Sequence, residues 1–380
     1  MQYRTFGTLD WKPSALGFGA MRLPTTSEDP ASIDEPLATR MIRTAIDAGV
    51  NYVDTAWPYH KGESEPFLSR CLRDGYRERV KLATKMPCWL IKDASEFDQY
   101  LDKQLDRLNT ETINFYLLHG LNKKVWPTVR DLGVLDWADR ATADGRIGAL
   151  GFSFHDDLDV FKEIVDAYDW TFCQILYNLM DIEFQAGRAG LQYAASRNLG
   201  VVIMEPLRGG SLTQPAPESV AAVWQSEPTK RTQADWALKW LWNQPEVSLV
   251  LSGMSAMEHV EQNLQSASES GVGTMSAEEI ARIDRVRAAY NALSAVPCTN
   301  CKYCMPCPNG VAIPRIFDML NQAEMYNDVD RARRRYKQLL KPEERADRCV
   351  ECGACELVCP QQIEIIASLK AAHKRLAEAA

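Results

Sequence analysis

Residues 37–60, LATRMIRTAIDAGVNYVDTAWPYH, contain one complete unit of a helix followed by a strand. Apolar residues recur at helical spacing over Leu37–Ala48, which predicts an amphipathic helix. Gly49 follows where a helix commonly ends on a left-handed residue, and Val50–Thr55, rich in residues that favour strands, predicts a strand. The stretch therefore predicts one repeat of a parallel sheet that is covered by helices.

The same alternation continues on both sides of this unit. Further strands are predicted at Ser14–Ala20, Val80–Lys85, Ile113–His119, Ile147–Ser153, Phe172–Leu176, Val201–Glu205 and Ser248–Ser252. Helices are predicted between strands, among them Glu96–Leu108, Leu158–Tyr168, Ala189–Asn198 and Gln233–Trp242. Eight such units in ~250 residues predict an α/β fold, a closed (β/α)8 TIM barrel over residues 1–290. The alternative is a doubly wound open sheet, which is disfavoured because no G-x-G-x-x-G follows the first strand.

Eight of the eleven cysteines fall in two short runs near the C-terminus, each followed directly by proline. The runs are Cys298, Cys301, Cys304 and Cys307, then Cys349, Cys352, Cys355 and Cys359. The second run has C-x2-C-x2-C-x3-C-P spacing, which binds [4Fe–4S] clusters in bacterial two-cluster ferredoxins. Zinc sites usually combine two separated C-x2-C pairs, and disulfides need an oxidising compartment. The spacing therefore favours iron–sulfur ligands over both alternatives.

The spacing also predicts which cysteines share a cluster, because the fourth cysteine of such a run binds the other cluster. One [4Fe–4S] cluster is expected on Cys298, Cys301, Cys304 and Cys359, and the second on Cys349, Cys352, Cys355 and Cys307. The first run departs from the usual spacing, with two residues instead of three before Cys307.

Residues 291–380 predict a small second domain, as the length of 380 residues also suggests. A helix over Ala277–Leu293 is expected to lead out of the barrel. Ile313–Leu340, between the cysteine runs, is helical in pattern, and Ile363–Ala380 is rich in alanine and lysine and predicts a final helix. The second domain is therefore expected to be α-helical and ferredoxin-like.

Net charge and hydropathy restrict the surroundings of the protein. The formal charge of −8 argues against nucleic acid as a partner, because binding to phosphates needs a basic surface. No stretch approaches the ~20 apolar residues of a membrane span. The N-terminus MQYRTFGTLD has no apolar signal core, so a cytoplasmic location is expected.

Four ionisable residues are predicted at neighbouring strand ends, where barrel enzymes place their chemistry. Asp54 ends the second strand and Tyr59 lies in the loop after it; Lys85 ends the third strand and His119 the fourth. Each of these residue types alone is commonly structural. The four together, in order at adjacent strand ends, predict an active site.

In these residues the chain resembles the aldo–keto reductase family. The resemblance rests on Asp54-Thr-Ala-Trp-Pro-Tyr59 with Gly62-Glu-Ser-Glu65, on Thr84-Lys85 and on Tyr116-Leu-Leu-His119, which keep the order and approximate spacing of the family's catalytic tetrad. It covers nearly all of residues 1–290. With its cysteine runs, the chain is similar to the subgroup that carries a C-terminal iron–sulfur domain.

The resemblance implies that hydride passes from C4 of a nicotinamide to an aldehyde or ketone, or back from the alcohol. Tyr59 would be the general acid, and the ammonium of Lys85, held by Asp54, would lower the phenol pKa from its ordinary value of ~10. His119 would donate a hydrogen bond to the carbonyl oxygen.

The resemblance also implies where a nicotinamide cofactor would bind. Ser153 and Gln174 would hold the carboxamide; Leu207, Gly209, Gly253 and Ser255 would line the pyrophosphate and ribose, and Gln262 and Asn263 would lie near adenine. The chain departs from the family pattern at three places. Phe154 follows Ser153, Met204 replaces the aromatic that stacks on nicotinamide, and Gly253 and His259 stand where many members bind the 2′-phosphate of NADP. NAD versus NADP therefore stays open, as does a different cofactor.

Two functions remain open from the sequence. The first is an NAD(P)-dependent aldo–keto reductase that carries two [4Fe–4S] clusters and acts on a small carbonyl or alcohol. The alternative is an electron-transfer protein that relays electrons through its clusters, with a flavin in the barrel as the converter between two-electron and one-electron steps. A one-electron redox partner would then dock on the chain. Arg331–Arg335 is a candidate stretch for this, although the acidic residues around it, Asp328 and Asp330 among them, favour a solvated helix face. The sequence shows no flavin motif, and the clusters could equally be structural.

Overall fold

The computed structural model describes residues 1–226, 231–298, 300 and 302–377. Its eight strands pair in parallel in chain order, and the first pairs with the eighth, so that the sheet closes into a barrel. The strands are Leu16–Gly19 (β1), Tyr52–Asp54 (β2), Lys81–Met86 (β3), Ile113–Leu121 (β4), Ile147–Phe154 (β5), Phe172–Leu176 (β6), Gly200–Met204 (β7) and Leu249–Ser252 (β8). Each overlaps a predicted strand, and the predicted (β/α)8 barrel is confirmed.

Helices alternate with the strands and then continue without them toward the C-terminus. They are Glu35–Asp47 (α1), Ser64–Cys71 (α2), Glu96–Leu108 (α3), Val125–Asp131 (α4), Val134–Ala143 (α5), Leu158–Asp166 (α6), Gly187–Ser196 (α7), Glu218–Gln225 (α8), Gln233–Trp242 (α9), Met257–Ser268 (α10), Ala277–Asn291 (α11), Ile313–Met325 (α12), Val329–Leu339 (α13), Ala354–Leu357 (α14) and Ile365–Ala377 (α15). None of the described helices is both long and apolar enough to span a bilayer.

Helix α1 shows why the repeated units form as predicted. Asp34 Oδ1 accepts a hydrogen bond at 3.1 Å from a backbone N–H of the first turn, which caps the helix. Pro36 lies in the same turn, where a missing N–H leaves no intrahelical bond unmade. After the helix, Gly49 has a φ of 101°, a conformation that side chains resist, and the chain turns there toward β2.

Aromatic side chains fill the barrel near the N-terminal ends of its strands. The Phe6 ring centroid lies 5.3 Å from that of Phe115 and 5.5 Å from that of Phe172, and Trp11 lies 5.3 Å from Phe115. Each fully buried side chain of this size contributes about 1.5–3 kcal/mol. This end of the barrel is therefore packed solid, and the opposite end carries the ionisable residues.

By packing, the chain divides into two compact units. One comprises Met1–Gly209 with Arg231–Ser276, and the other comprises the described residues of Gly210–Lys230 and Ala277–Ala380. Helices α8 and α11, which both begin before residue 291, thus belong to the second unit by their contacts. The predicted domain boundary at residue 290 stays a prediction.

The second unit is helical, as predicted, with one difference in its longest helical segment. The prediction of a helical pattern over Ile313–Leu340 is corrected to two helices, α12 and α13. Asn327 between them is left-handed, with a φ of 49°, which stops the first helix. Asp328 then accepts a hydrogen bond from the Arg331 N–H at 3.1 Å and starts the second.

Candidate active site

Lys85 contacts two other residues of the predicted catalytic set, Asp54 and Tyr59. Its ammonium donates hydrogen bonds to Asp54 Oδ1 at 2.6 Å and to the Thr55 carbonyl oxygen at 2.7 Å. A longer contact of 3.3 Å joins Lys85 Nζ to Tyr59 Oη. The side chains of Lys85 and Asp54 are 0% and 3% exposed. The ends of β2 and β3 therefore hold a buried ion pair in hydrogen-bond contact with a tyrosine.

The ion pair keeps Lys85 charged. Burial by itself lowers the pKa of Lys85, but the nearby Asp54 carboxylate and Tyr59 raise it, and the resulting pKa lies above the ordinary value. At Asp54, burial raises the pKa and the Lys85 ammonium opposes that rise. All three N–H donors of Lys85 have an acceptor in place, so the ammonium is fully satisfied where it lies.

Tyr59 is half-buried at the start of a short 3-10 turn, Tyr59–Gly62. Burial raises the pKa of Tyr59 above its ordinary value, and the Lys85 ammonium lowers it by a smaller amount. The Lys85 ammonium therefore does lower the pKa of Tyr59 as predicted, but in the protein without ligands burial raises this pKa by more. Tyr59 consequently carries its proton at neutral pH, as a general acid must.

His119 on β4 lies beside Tyr59. Their ring centroids are 6.2 Å apart and nearly perpendicular, and the Trp89 ring packs on the other side of the imidazole at 5.0 Å. Burial, with the positive charge of Lys85 next, holds the pKa of His119 well below its usual range. The imidazole is therefore neutral, and it carries one N–H that can donate to an oxygen placed next to Tyr59 Oη.

Ser153 and Gln174 are brought together on adjacent strands. They are direct register partners of β5 and β6. Ser153 Oγ accepts a hydrogen bond from the Gly120 N–H at 2.8 Å, and Gln174 Nε2 lies 3.6 Å from Met204 Sδ. Gln174 Oε1 is buried and has no hydrogen-bond partner among the described residues. An unpartnered buried acceptor at this place fits the amide N–H of a nicotinamide carboxamide.

The predicted phosphate loops follow β7 and β8. Leu207 and Gly209 lie in a loop with several left-handed residues, including Glu205 at 56°, Arg208 at 50° and Gly209 at 64°. The glycines of this loop, Gly209 and Gly210, allow an anion to approach the backbone N–H groups closely. Gly253 and Ser255 lie between β8 and the start of α10, where helix N–H groups also face outward.

The two residues predicted near adenine have different surroundings. Asn263 is buried and donates a hydrogen bond to Ser252 Oγ at 3.0 Å, which ties α10 to the end of β8. Gln262 is on the exposed side of α10 and donates to Glu258 at 2.8 Å. Asn263 thus has a structural contact in the protein alone, and Gln262 is accessible.

The structure adds charged contacts at the barrel mouth that sequence reasoning missed. Arg22, in the loop after β1, forms an ion pair of 3.1 Å with Glu205, in the loop after β7. Behind the catalytic set, Glu65 is fully buried and pairs with Arg107 of α3 at 3.0 Å. The signal available in sequence was the position of Arg22 just past a strand end, and the Glu65 that closes the motif beginning at Asp54.

The described cysteines of the two runs line two cavities in the second unit, and Cys304 lines both. One, of about 210 Å³, is lined by Cys304, Cys307, Cys349, Cys352 and Cys355. The other is lined by Cys298, Cys304 and Cys359. Cys301 lies outside the described residues. Among the described side chains, no three His, Cys, Asp or Glu converge as they would on a single metal ion.

The predicted exchange of fourth ligands between the two cysteine runs stays a prediction. Cys307 of the first run lies with three cysteines of the second, and Cys359 of the second run lies with those of the first. The donor set of four thiolates from C-x2-C spacing fits an iron–sulfur cluster.

Comparison with family models gives two matches along the chain. The model of the aldo/keto reductase family matches residues 15–288, and that of a 4Fe-4S dicluster domain matches residues 297–364. The first match spans the barrel, and the second contains every cysteine of the two runs.

Individual relatives are similar over most of their own length. L-Galactose dehydrogenase of Arabidopsis thaliana is 26% identical over 75% of this chain and 94% of its own. The NADH-specific methylglyoxal reductase of Escherichia coli is 23% identical over 68% of this chain and 91% of its own. Among solved structures, an aldo-keto reductase from Bacillus halodurans in its holo form has a TM-score of 0.64 and 26% identity, covering 75% of this chain and 96% of that one.

Proposed function

The chain belongs to the aldo/keto reductase family and carries a 4Fe-4S domain after its barrel, and we propose that it reduces an aldehyde or ketone with NAD(P)H, or oxidises the matching alcohol, with Tyr59 as the general acid. The observation that carries the proposal is Lys85, which contacts Asp54 at 2.6 Å and Tyr59 at 3.3 Å beside a neutral His119. A scaffold without catalysis has no need of a buried ammonium in contact with a phenol.

The residues present fit a nicotinamide cofactor. Gln174 Oε1, buried and without a partner in the described part of the chain, would accept from the carboxamide, and Ser153 lies next to it in register. When bound, the reduced nicotinamide supplies a hydride. NADH and NADPH both remain candidates, because neither Gly253 nor His259 is a fixed positive charge for a 2′-phosphate.

Side chains of the protein would supply the proton and take it back. Tyr59 Oη would donate its proton to the oxygen of the substrate as negative charge develops there, and Lys85 would stabilise the phenolate that remains. Asp54 would keep Lys85 in place and charged. His119 would donate its single N–H to the same oxygen, which fixes the carbonyl against Tyr59. In the oxidative direction the phenolate would take the proton back.

The substrate class follows only in outline. The relatives named above act on a sugar, L-galactose, and on a small dicarbonyl, methylglyoxal. We therefore propose a small polar carbonyl compound or its alcohol as the substrate.

Two [4Fe–4S] clusters are proposed in the second unit. One would be held by Cys298, Cys301, Cys304 and Cys359, and the other by Cys307, Cys349, Cys352 and Cys355. The support is that Cys307 lines one cavity with three cysteines of the second run, and that Cys359 lines the other with Cys298; Cys304 lines both cavities. A cluster accepts one electron at a time, so any exchange with nicotinamide would need a converter such as a flavin.

The acid assignment is tested with Tyr59→Phe in protein purified without oxygen. Turnover of a panel of aldehydes and ketones should fall by about 10²–10⁴-fold, the contribution typical of general acid catalysis. Nucleotide affinity should stay near that of the wild type. Tyr100→Phe is the matched control, because the Tyr100 ring packs 5.0 Å from that of Trp57, and within the described residues no hydrogen bond joins it to the four proposed catalytic residues. Equal turnover by Tyr59→Phe and wild type would reject the assignment.

An electron-transfer protein is the second candidate, favoured by the cysteine cavities and by the exposure of Cys352. Visible absorbance and EPR during anaerobic addition of NADH or NADPH separate the two candidates. Bleaching of the cluster bands by nucleotide would support electron relay and a converter. Bleaching only by a stronger reductant, together with carbonyl turnover, would support a reductase whose clusters serve structure or another partner.

A further inference from the structure

We propose that Glu65 is a positioning residue, which through a buried hydrogen-bond network fixes the distance between Tyr59 and Lys85. The inference rests on the proposed function for its kinetic part, because it concerns the same proton-transfer pair. It assigns a role to a fully buried carboxylate whose hydrogen bonds, in the described part of the chain, go to Thr84, Gln104 and Arg107.

The first half of the network holds the strand that carries Lys85. Glu65 Oε1 accepts hydrogen bonds from Thr84 Oγ1 at 2.7 Å and from Gln104 Nε2 at 2.6 Å. Thr84 directly precedes Lys85 on β3, and Gln104 Nε2 also lies 3.2 Å from the Lys85 carbonyl oxygen. Tyr116 of β4 donates to Gln104 Oε1 at 2.7 Å and fixes the amide orientation. The backbone at Lys85 is therefore held from outside the barrel.

The second half holds the loop that carries Tyr59. Glu65 Oε2 accepts from Arg107 Nη1 at 3.0 Å, and Arg107 Nη2 donates to the Gly62 carbonyl oxygen at 2.7 Å. The same guanidinium stacks on Trp57, with its central carbon 4.1 Å from the ring centroid. Gly62 and Trp57 flank Tyr59 in sequence, so one side chain holds both sides of the catalytic loop.

This loop needs such support because its backbone is strained. His60, Lys61 and Gly62 are left-handed in succession, with φ values of 53°, 55° and 97°. Non-glycine residues in this region cost of order 1–3 kcal/mol each and persist only where surrounding contacts determine them. Without the Arg107 contacts, relaxation of the loop would move Tyr59, the residue next to the strained segment.

A purely structural role does not explain why a charged residue, Glu65, stands at this buried position. Glu65 is 0% exposed, and a buried ion pair gives little stability over apolar residues of the same size. What the ion pair adds is geometry, because Glu65 accepts from three donors that belong to β3 and α3. Tyr59 Oη lies 3.3 Å from Lys85 Nζ, near the limit of a hydrogen bond, and a shift of about 1 Å would break it.

The test compares Glu65→Gln with wild type and with Asp98→Asn in the full-length protein purified without oxygen. Asp98 is on the same helix as Gln104 and Arg107 and accepts from Arg146 at 2.8 Å and Trp137 at 3.0 Å, away from Tyr59. The phenol of Tyr59 is titrated by NMR of protein labelled at tyrosine Cζ, and Tyr59→Phe identifies its signal. Turnover of 4-nitrobenzaldehyde and its pH profile are measured in parallel.

We expect Glu65→Gln to raise the pKa of Tyr59, because a loosened loop moves Oη away from the Lys85 ammonium. The kcat should fall by roughly tenfold to a hundredfold, with its alkaline limb moved to higher pH and nucleotide affinity within about twofold of wild type. Asp98→Asn should change neither the Tyr59 titration nor kcat.

An unchanged Tyr59 titration and kcat in Glu65→Gln would overturn the proposal and leave Glu65 a structural residue. If Glu65→Gln does not fold, Arg107→Met replaces it under the same criteria, and Arg107→Lys should recover only part of the effect because lysine cannot both stack and make two fixed hydrogen bonds. A shifted Tyr59 titration in a protein that reduces no carbonyl would uphold the positioning role and reject the proposed function.

Discussion

Replacement of Lys85 by methionine should destabilise the barrel strongly, in addition to its effect on catalysis. Methionine keeps an unbranched side chain that is one heavy atom shorter, and it removes the ammonium that bonds Asp54 at 2.6 Å. Asp54 is 3% exposed, and its other oxygen, Oδ2, has no partner among the described residues. The variant would therefore contain a buried carboxylate with no counterion.

The magnitude follows from this burial. Removing one member of a buried ion pair typically costs 3–5 kcal/mol, because the remaining charge is uncompensated; we expect about this loss in Lys85→Met. For a unit of this size it corresponds to a fall in Tm of roughly 6–20 °C. The double variant Asp54→Asn/Lys85→Met, which carries neither charge, should recover more than half of the loss.

The effect should also depend on pH in a definite direction. Without Lys85, burial raises the folded-state pKa of Asp54 with nothing to offset it. A carboxyl whose pKa is raised on folding favours the folded state only below its unfolded pKa, and the penalty grows as pH rises through the folded pKa. The stability deficit of Lys85→Met should therefore be larger at pH 8 than at pH 5.

Tryptophan fluorescence is a suitable assay, because all ten tryptophans precede residue 243 and the signal reports mainly on the barrel. Melting curves at both pH values for the wild type and the single and double variants complete the comparison. A single variant that melts within about 2 °C of wild type, or a double variant no more stable than the single, would refute the reasoning.

Four further outcomes are expected. Because burial and the Lys85 charge hold the pKa of His119 well below its usual range, the pH profile of kcat should show no inflection from about pH 6 to 7.5; an inflection there that His119→Asn removes would contradict this. Gly62→Ala should lower both Tm and kcat, because an added Cβ would lie 2.6 Å from a guanidinium nitrogen and φ is 97°; wild-type kcat would count against it. Cys298→Ser and Cys359→Ser should each lose about four iron atoms and retain the same residual EPR signal, and different residual signals would disprove their shared cluster. Gln174→Leu should weaken nucleotide binding about tenfold by calorimetry, with equal affinity as the contrary result.

The periodic spacing of apolar residues was sufficient to predict the barrel. Each strand is a short apolar run, each helix shows apolar spacing near 3.6 residues, and glycines such as Gly49 mark the turns between them. These are local properties, and eight consecutive repeats leave few other ways to bury every strand on both faces. The helical character of the second unit followed in the same way. Its break at Asn327 did not, because the residues on both sides keep a helical pattern.

The residues of the candidate site and the end of the barrel at which they lie could be predicted, but the contacts that hold them could not. The parallel strands carry Asp54, Lys85 and His119 to one end of the barrel, so their convergence follows from the fold. The network at Glu65 could not be predicted, because its partners are up to 42 positions away on another helix. The direction of the pKa shift of Tyr59 could not be predicted from the sequence either. Burial raises this pKa by more than the Lys85 ammonium lowers it, and the extent of burial depends on every neighbouring residue.

The sequence by itself determined the kind of protein this is: a parallel barrel with acid–base residues at its strand ends, followed by eight cysteines in two runs spaced for iron–sulfur clusters. These features depend on local periodicity and spacing, because the backbone geometry of helices, strands and tight turns sets which residues share a face. Only the tertiary structure decided which charges are buried and which side chains hold the Tyr59 loop. Those depend on distances between residues far apart in the chain, and such distances exist only once the chain has packed.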